Sequence, residues 1–151
     1  MKHLGKKILS LIVCLTMVVS VLAQGGAVYA AEAEYRIYPT PHEVTYQAGD
    51  FEISSKVNVV YESEVDDVTK ARVDEVLAIK GATASVSNKK ADGKTNLFIG
   101  IYGSGEYVDS YAQEKYNIDA DLYGKYASHY VIAADGEIIV LGLDADAAFY
   151  G

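Results

Sequence analysis

Residues 95–102 read TNLFIGIY, the most apolar strand-like run in the body of the chain. A polar loop, residues 88–94, precedes it, and a glycine-rich corner, Gly103-Ser104-Gly105, follows. A run of this kind between two breakers is a strand, and its apolar character puts it at the centre of a sheet. Residues 57–61, VNVVY, are β-branched and apolar and make a second deeply placed strand. Between the two, residues 65–80 have helical spacing, with Val65, Val68, Val73, Val76, Leu77 and Ile79 on one broad stripe. Asp66 and Asp67 lie in the first turn of that helix, and Lys80-Gly81 closes it with a cation and a C-cap glycine. Residues 82–87 form the strand that comes next.

The remaining elements are shorter. Residues 106–116 suit a helix. Residues 128–134 and 137–143 read as two strands joined by the tight turn Asp135-Gly136. Upstream, residues 35–38 are extended, and Pro39-Thr40-Pro41 forces a bend. Residues 42–47 alternate, with Val44 and Tyr46 on one face, and residues 51–53 alternate again after a turn at 48–50, so this stretch predicts a hairpin. A last helix opens at Asp144 or Ala145, with an acid able to cap it and Asp146 in its first turn. It has run for only about two turns when the sequence reaches Gly151. The expected class is α/β (α+β), a mixed β-sheet with helices packed on it as a two-layer sandwich. The unfinished helix reads as a C-terminally truncated domain whose chemistry lies downstream.

The first thirty residues stand apart from this fold. Lys2, Lys6 and Lys7 form a basic start, residues 8–22 are apolar, and Val28-Tyr29-Ala30 offers the small residues of a cleavage site. Residues 1–30 are expected to be a secretory signal peptide and residues 31–151 the domain proper. The apolar run falls short of the ~20 residues of a membrane span. Cys14, the only cysteine, sits in the middle of that run behind the bulky Val13, which does not suit lipidation. Cleavage leaves a domain of about 120 residues without cysteine, stabilised by its core and not by disulfides. Losing the three lysines takes the formal charge from −8 to −11, which argues against nucleic acid and anionic membrane surfaces as partners.

Several short motifs suggest chemistry and do not carry it. Asp66-Asp67 is a carboxylate pair, but adjacent helical residues point apart, and acids in a first turn serve the helix dipole. The glycines of residues 100–105 fit neither the dinucleotide nor the P-loop spacing, so they read as a tight turn. Asp119-Ala120-Asp121 opens like a calcium loop, but Tyr123 and Tyr130 occupy the fifth and twelfth positions, where oxygen ligands belong. His42 and His129 have no cysteine partners for zinc and no nucleophile elbow for a triad. Tyr102, Tyr107, Tyr111, Tyr116, Tyr123 and Tyr126 could stack on sugar rings, although tyrosine also suits strands and exposed edges. No catalytic, cofactor-binding or metal-binding residue is assigned, and no cofactor is expected.

Three stretches together resemble one family: YRIYPTPHEVTYQAGDFEI (35–53), LFIGIYGSGEYVDSY (97–111) and IIVLGLDADAAFYG (138–151). They are similar to the N-terminal accessory domain of secreted bacterial family 84 glycoside hydrolases, the β-N-acetylglucosaminidases often called hyaluronidases. A similar domain precedes the barrel of family 20 β-hexosaminidases. The resemblance implies a following catalytic barrel with paired aspartates. It also implies substrate-assisted retention, in which the 2-acetamido oxygen attacks the anomeric carbon. It implies a glycan substrate for the parent enzyme, an extracellular location, cell-wall association through downstream parts, and no activity in this chain alone. The expected partner of the domain is that barrel. The alternatives are a free-standing glycan-binding or adhesion module, which needs an exposed tyrosine platform, and a small secreted hydrolase, which needs a convergent polar pocket.

Overall fold

The computed structural model of the chain describes residues 40–45, 49–118 and 128–151. The chain divides between Thr40 and Pro41, and the elements below belong to Pro41–Gly151. The signal peptide, Cys14, residues 35–38, the calcium-like residues 119–123 and Tyr126 lie outside the described residues.

In chain order the elements are β1 (Lys56–Tyr61), α1 (Asp67–Ile79), β2 (Thr83–Ser87), β3 (Thr95–Ile101), α2 (Tyr107–Tyr116), β4 (His129–Ala134), β5 (Glu137–Gly142) and α3 (Ala145–Tyr150). The five strands form one sheet in the order β2-β1-β3-β5-β4. β2, β1, β3 and β5 are parallel, and β4 returns antiparallel to β5. That return passes through Asp135 (φ 53°) and Gly136 (φ 74°), the two left-handed residues that a tight hairpin matched to strand twist requires. The TNLFIGIY run is the central strand, as expected, and all seven residues of β3 are buried.

Burial on both faces explains why β1, β3 and β5 read as continuous apolar runs. On one face Val57, Val59, Leu97, Ile99, Ile101 and Val140 pack with Val65 and Leu77 and with Ala148 of α3. On the other, Val60, Phe98, Ile139 and Leu141 pack with Val108 and Ala112 of α2. The fold is therefore the α/β class expected, a mixed sheet with three helices packed on it. The helices divide between the two faces, however, and make three layers where the sequence suggested two. Strand alternation alone could not show this, because a run with both parities apolar names no preferred side.

The helix termini follow their sequence signals. Asp66 caps α1 by accepting the Thr69 amide at 2.8 Å. Gly81 (φ 67°) ends it, with the Gly81 amide on the Ala78 carbonyl and the Ala82 amide on the Leu77 carbonyl, the paired bonds of a Schellman motif. Asp144 caps α3 through the Ala147 amide at 2.8 Å.

Two local expectations are corrected. The buried side of α1 carries Thr69 and Leu77, with Val73 half-buried, whereas Val68, Val76 and Ile79 of the expected stripe are exposed. A 13-residue helix on the flank of a sheet buries one narrow row, not a broad stripe. The hairpin expected over residues 42–53 is absent among the described residues, where 42–45 and 51–53 carry no strand. Val44 and Ile53 are exposed, so the alternation there has no sheet to face. The segment is tied instead by Ser54, whose amide and hydroxyl exchange hydrogen bonds with the Thr95 hydroxyl and amide at 2.9 and 3.0 Å.

Candidate functional site

Three polar side chains lie in one row across the α2 face of the sheet. Asn58 pairs with Asn96, and Asn96 pairs with Glu137, in neighbouring strands β1, β3 and β5. All three are buried, Glu137 completely. Buried polar groups demand partners, and the connection from β2 to β3 supplies them. Parallel strands normally need a connection of a dozen or more residues. Here residues 88–94 suffice, because β2 ends beside Val60 and β3 starts beside Val57. The chain steps back about 10 Å and sideways about 10 Å, within the ~23 Å reach of seven extended residues. This crossover lies over Asn58. The Asn58 amide donates to the Lys89 carbonyl at 3.0 Å and to Asn96 Oδ1 at 3.0 Å. Asn96 in turn accepts the Ala91 amide at 2.8 Å and donates to the Ala91 carbonyl at 2.9 Å. Ser87 completes the set by donating to Asn58 Oδ1 at 2.8 Å.

Glu137 ends the row and gathers charge. Lys90 Nζ and Tyr111 Oη (2.7 Å) donate to one carboxylate oxygen, and Lys115 Nζ (3.0 Å) and Tyr116 Oη (3.3 Å) to the other. Burial pushes this carboxyl up, but the donors from Lys90, Tyr111 and Lys115 outweigh it and hold Glu137 below its ordinary value. The same contacts raise Lys90, chiefly through its bond to Glu137. Lys115 is raised despite the opposing effect of burial, because its bonds to Tyr116 and Glu137 win. Burial, then the bond to Glu137, raises Tyr111. Four donors fill the lone-pair positions of one carboxylate. Glu137 therefore has no open acceptor for a substrate proton or a cation.

A second buried acidic cluster joins Glu62, just after β1, to Asp109 in α2. Glu62 and Asp109 are both buried. Glu62 accepts the Ile101 amide (2.7 Å), the Asp109 amide (2.6 Å) and the Ser104 hydroxyl (2.9 Å). Asp109 accepts the Gly103 and Gly105 amides at 3.0 and 2.9 Å. Glu106 stands at the N-cap of α2 without capping it, and its carboxylate holds the Ser63 amide and hydroxyl instead. Glu62 caps α2 in its place through the Asp109 amide, so the two loops exchange carboxylates. Gly100 permits this approach, since a Cβ there would lie 2.7 Å from Glu62 Cδ and 2.9 Å from Val108 Cβ.

These contacts decide the sequence motifs. The glycine corner has its amides occupied by Asp109, so it is a turn, as expected, and presents no phosphate cradle. Asp66 is a cap, and Asp67 is exposed beside Lys70 at 3.2 Å. His42 is exposed. The His129 ring meets the neighbouring Ser128 hydroxyl through Nδ1 at 3.0 Å. Tyr107 and Tyr111 stack on each other at 5.8 Å and cover Phe98, while Tyr102 and Tyr116 are half-buried in the same cluster. This is not a flat open platform; Tyr123 and Tyr126 lie outside the described residues. Among the described residues, no group of three or more His, Cys, Asp or Glu could hold a metal, and no helix is long and apolar enough to cross a membrane. Sequence reasoning missed Glu137, Glu62, Asp109 and the two asparagines. One signal was present: VNVVY and TNLFIGIY each carry an asparagine second in an otherwise apolar strand, and the fold sets those residues side by side.

The geometry thus defines a three-layer α/β domain whose buried polar clusters, among the described residues, close on themselves. The sequence model of Glycosyl hydrolase family 20, domain 2, matches residues 34–151, and the chain belongs to that family. Among solved structures, that of CpGH84D is 37% identical and aligns with a TM-score of 0.75 over 79% of this chain. The chain spans 20% of the length of CpGH84D. It is an accessory domain of the kind found in family 84 and family 20 glycoside hydrolases. No curated protein matches it.

Proposed function

We propose that this chain is the exported, non-catalytic N-terminal domain of a β-N-acetylglucosaminidase that removes terminal GlcNAc from glycans by substrate-assisted retention. In this reading the signal peptide directs export, catalysis belongs to a barrel that follows in the same polypeptide, and the domain buttresses that barrel. The observation that carries it is the likeness to CpGH84D, strong over most of this chain and confined to one fifth of that enzyme. The surface near the carboxyl end supports it. Val131, Leu143, Phe149 and Tyr150 are 51%, 42%, 38% and 75% exposed on β4, the β5–α3 connection and α3. Exposed apolar side chains on adjoining elements fit a neighbouring domain better than water.

The test is an aryl N-acetylglucosaminide assay on two proteins. The purified 151-residue chain is expected to show no turnover, and the protein encoded by the same gene with its downstream region is expected to hydrolyse the substrate. Turnover by the 151-residue chain would overturn the non-catalytic role. An inactive longer protein would overturn the glycosidase assignment.

A further inference from the structure

The crossover between β2 and β3 differs from the rest of the fold in how it is fastened. Residues 88–94 make no backbone–backbone hydrogen bond to another part of the structure among the described residues. Every tie runs through a side chain. Asn58 holds the Lys89 carbonyl, and Asn96 holds both backbone groups of Ala91. The Tyr107 hydroxyl accepts the Lys90 amide at 3.1 Å, and Lys94 Nζ reaches Ser85 Oγ at 2.8 Å. The segment buries little of its own: Ala91 and Lys94 are half-buried and the other five residues are exposed. Beneath it the strands are bound by continuous parallel ladders. A segment with few buried apolar atoms and solvent-reachable bonds has a lower opening free energy than a core ladder.

One tie is of another kind. Among the described residues, Lys90 is the only residue of the crossover joined to an ion partner, and that partner, Glu137, is fully buried on β5 beyond β1 and β3. We propose that residues 88–94 form a strap that opens as one unit while the sheet stays folded, and that the Lys90–Glu137 pair is its latch. Opening bares Asn58 and Asn96, two amides side by side on β1 and β3, and frees the Tyr107 hydroxyl. Closing requires Asn96 and the latch together, because Asn96 fixes the backbone at Ala91 and Lys90 fixes the residue before it.

Amide hydrogen exchange on the full chain tests this. In the wild-type chain the Lys90 and Ala91 amides are expected to exchange at similar rates, at least tenfold faster than the Val59 and Ile99 amides of the ladder. In Lys90→Met both strap amides are expected to quicken a further tenfold or more, with the ladder amides unchanged. Tryptic cleavage after Lys89 and Lys94 is expected to rise in parallel. Strap amides as slow as the ladder in the wild type would overturn the independent opening. An unchanged Ala91 amide in Lys90→Met would overturn the latch. Quickening of ladder and strap by the same factor would show that the pair supports the whole fold and not the strap. Lys90→Met leaves Glu137 with Lys115 and both tyrosines, so the variant keeps a paired carboxylate.

Discussion

Replacing Glu137 by glutamine isolates the contribution of the charge at the end of the polar row. The amide keeps the shape of the carboxylate but loses its charge, and its NH2 group faces donors where the carboxylate offered acceptors. Breaking a buried ion pair by removing one partner costs about 3–5 kcal/mol. Lys90 and Lys115 retain 39% and 29% side-chain exposure and can turn toward water, and Lys115 keeps Asp135 at 3.3 Å, so the low end applies. The expected loss is about 3 kcal/mol at pH 7, a lowering of Tm by roughly 10–20 °C for a domain of this size. The effect has a signed pH dependence. Glu137 is held below its ordinary value in the folded chain, so its contribution is full above about pH 4.3, the unfolded carboxyl value, and fades as pH falls through the lowered folded value. Lys90 and Lys115 are raised, so their share is full below about pH 10.4 and fades only as pH rises through their folded values. The stability gap between wild type and Glu137→Gln should therefore be flat from about pH 5 to 9 and narrow in acid. Urea unfolding of both proteins at pH 7 and pH 3 measures it. A gap under about 1 kcal/mol at pH 7, or an equal gap at both pH values, would refute the assignment of a stabilising buried pair.

Other substitutions address neighbouring claims. Gly142→Ala would place a Cβ 2.3 Å from the Ala148 amide nitrogen and 2.7 Å from the Asp144 carbonyl oxygen, both backbone atoms, so α3 must lift from the sheet. The expected cost is about 3 kcal/mol, and equal melting of variant and wild type would show that α3 is not seated there. Gly136→Ala meets no atom within 4 Å and strains only the φ of 74°, so about 1 kcal/mol is expected by the same measurement. Asp66→Ala removes the α1 cap and should lower the urea midpoint; no change in that midpoint would exclude the cap as a contributor. Glu62→Gln should lose about 2 kcal/mol and loosen the start of α2, seen as faster exchange of the Asp109 amide than in wild type.

What the sequence made legible follows from locality. Asp66, Gly81, Asp135-Gly136 and Asp144 act within a few residues of themselves, so their roles could be read in one dimension and recur in the structure. The central strand was legible too, because seven buried residues in a row leave an unbroken apolar run. The number of layers was not, since apolar residues of both parities suit cover on either side. The polar clusters were hidden for a different reason. Glu62 serves a helix that starts 45 residues later, and Glu137 receives a lysine from 47 residues earlier. No spacing rule links such positions; only the order β2-β1-β3-β5 brings them together. Asn58 and Asn96 mark the boundary between the two cases. Each looks like a flaw in its own strand. Side by side they replace the helix that a parallel crossover usually carries, because their amides take up the backbone groups that a helix would have satisfied itself. Buried asparagine in an apolar strand is thus a sign of irregular chain passing over it, and here it locates a crossover of seven residues that hydrophobic patterning reads only as a polar loop.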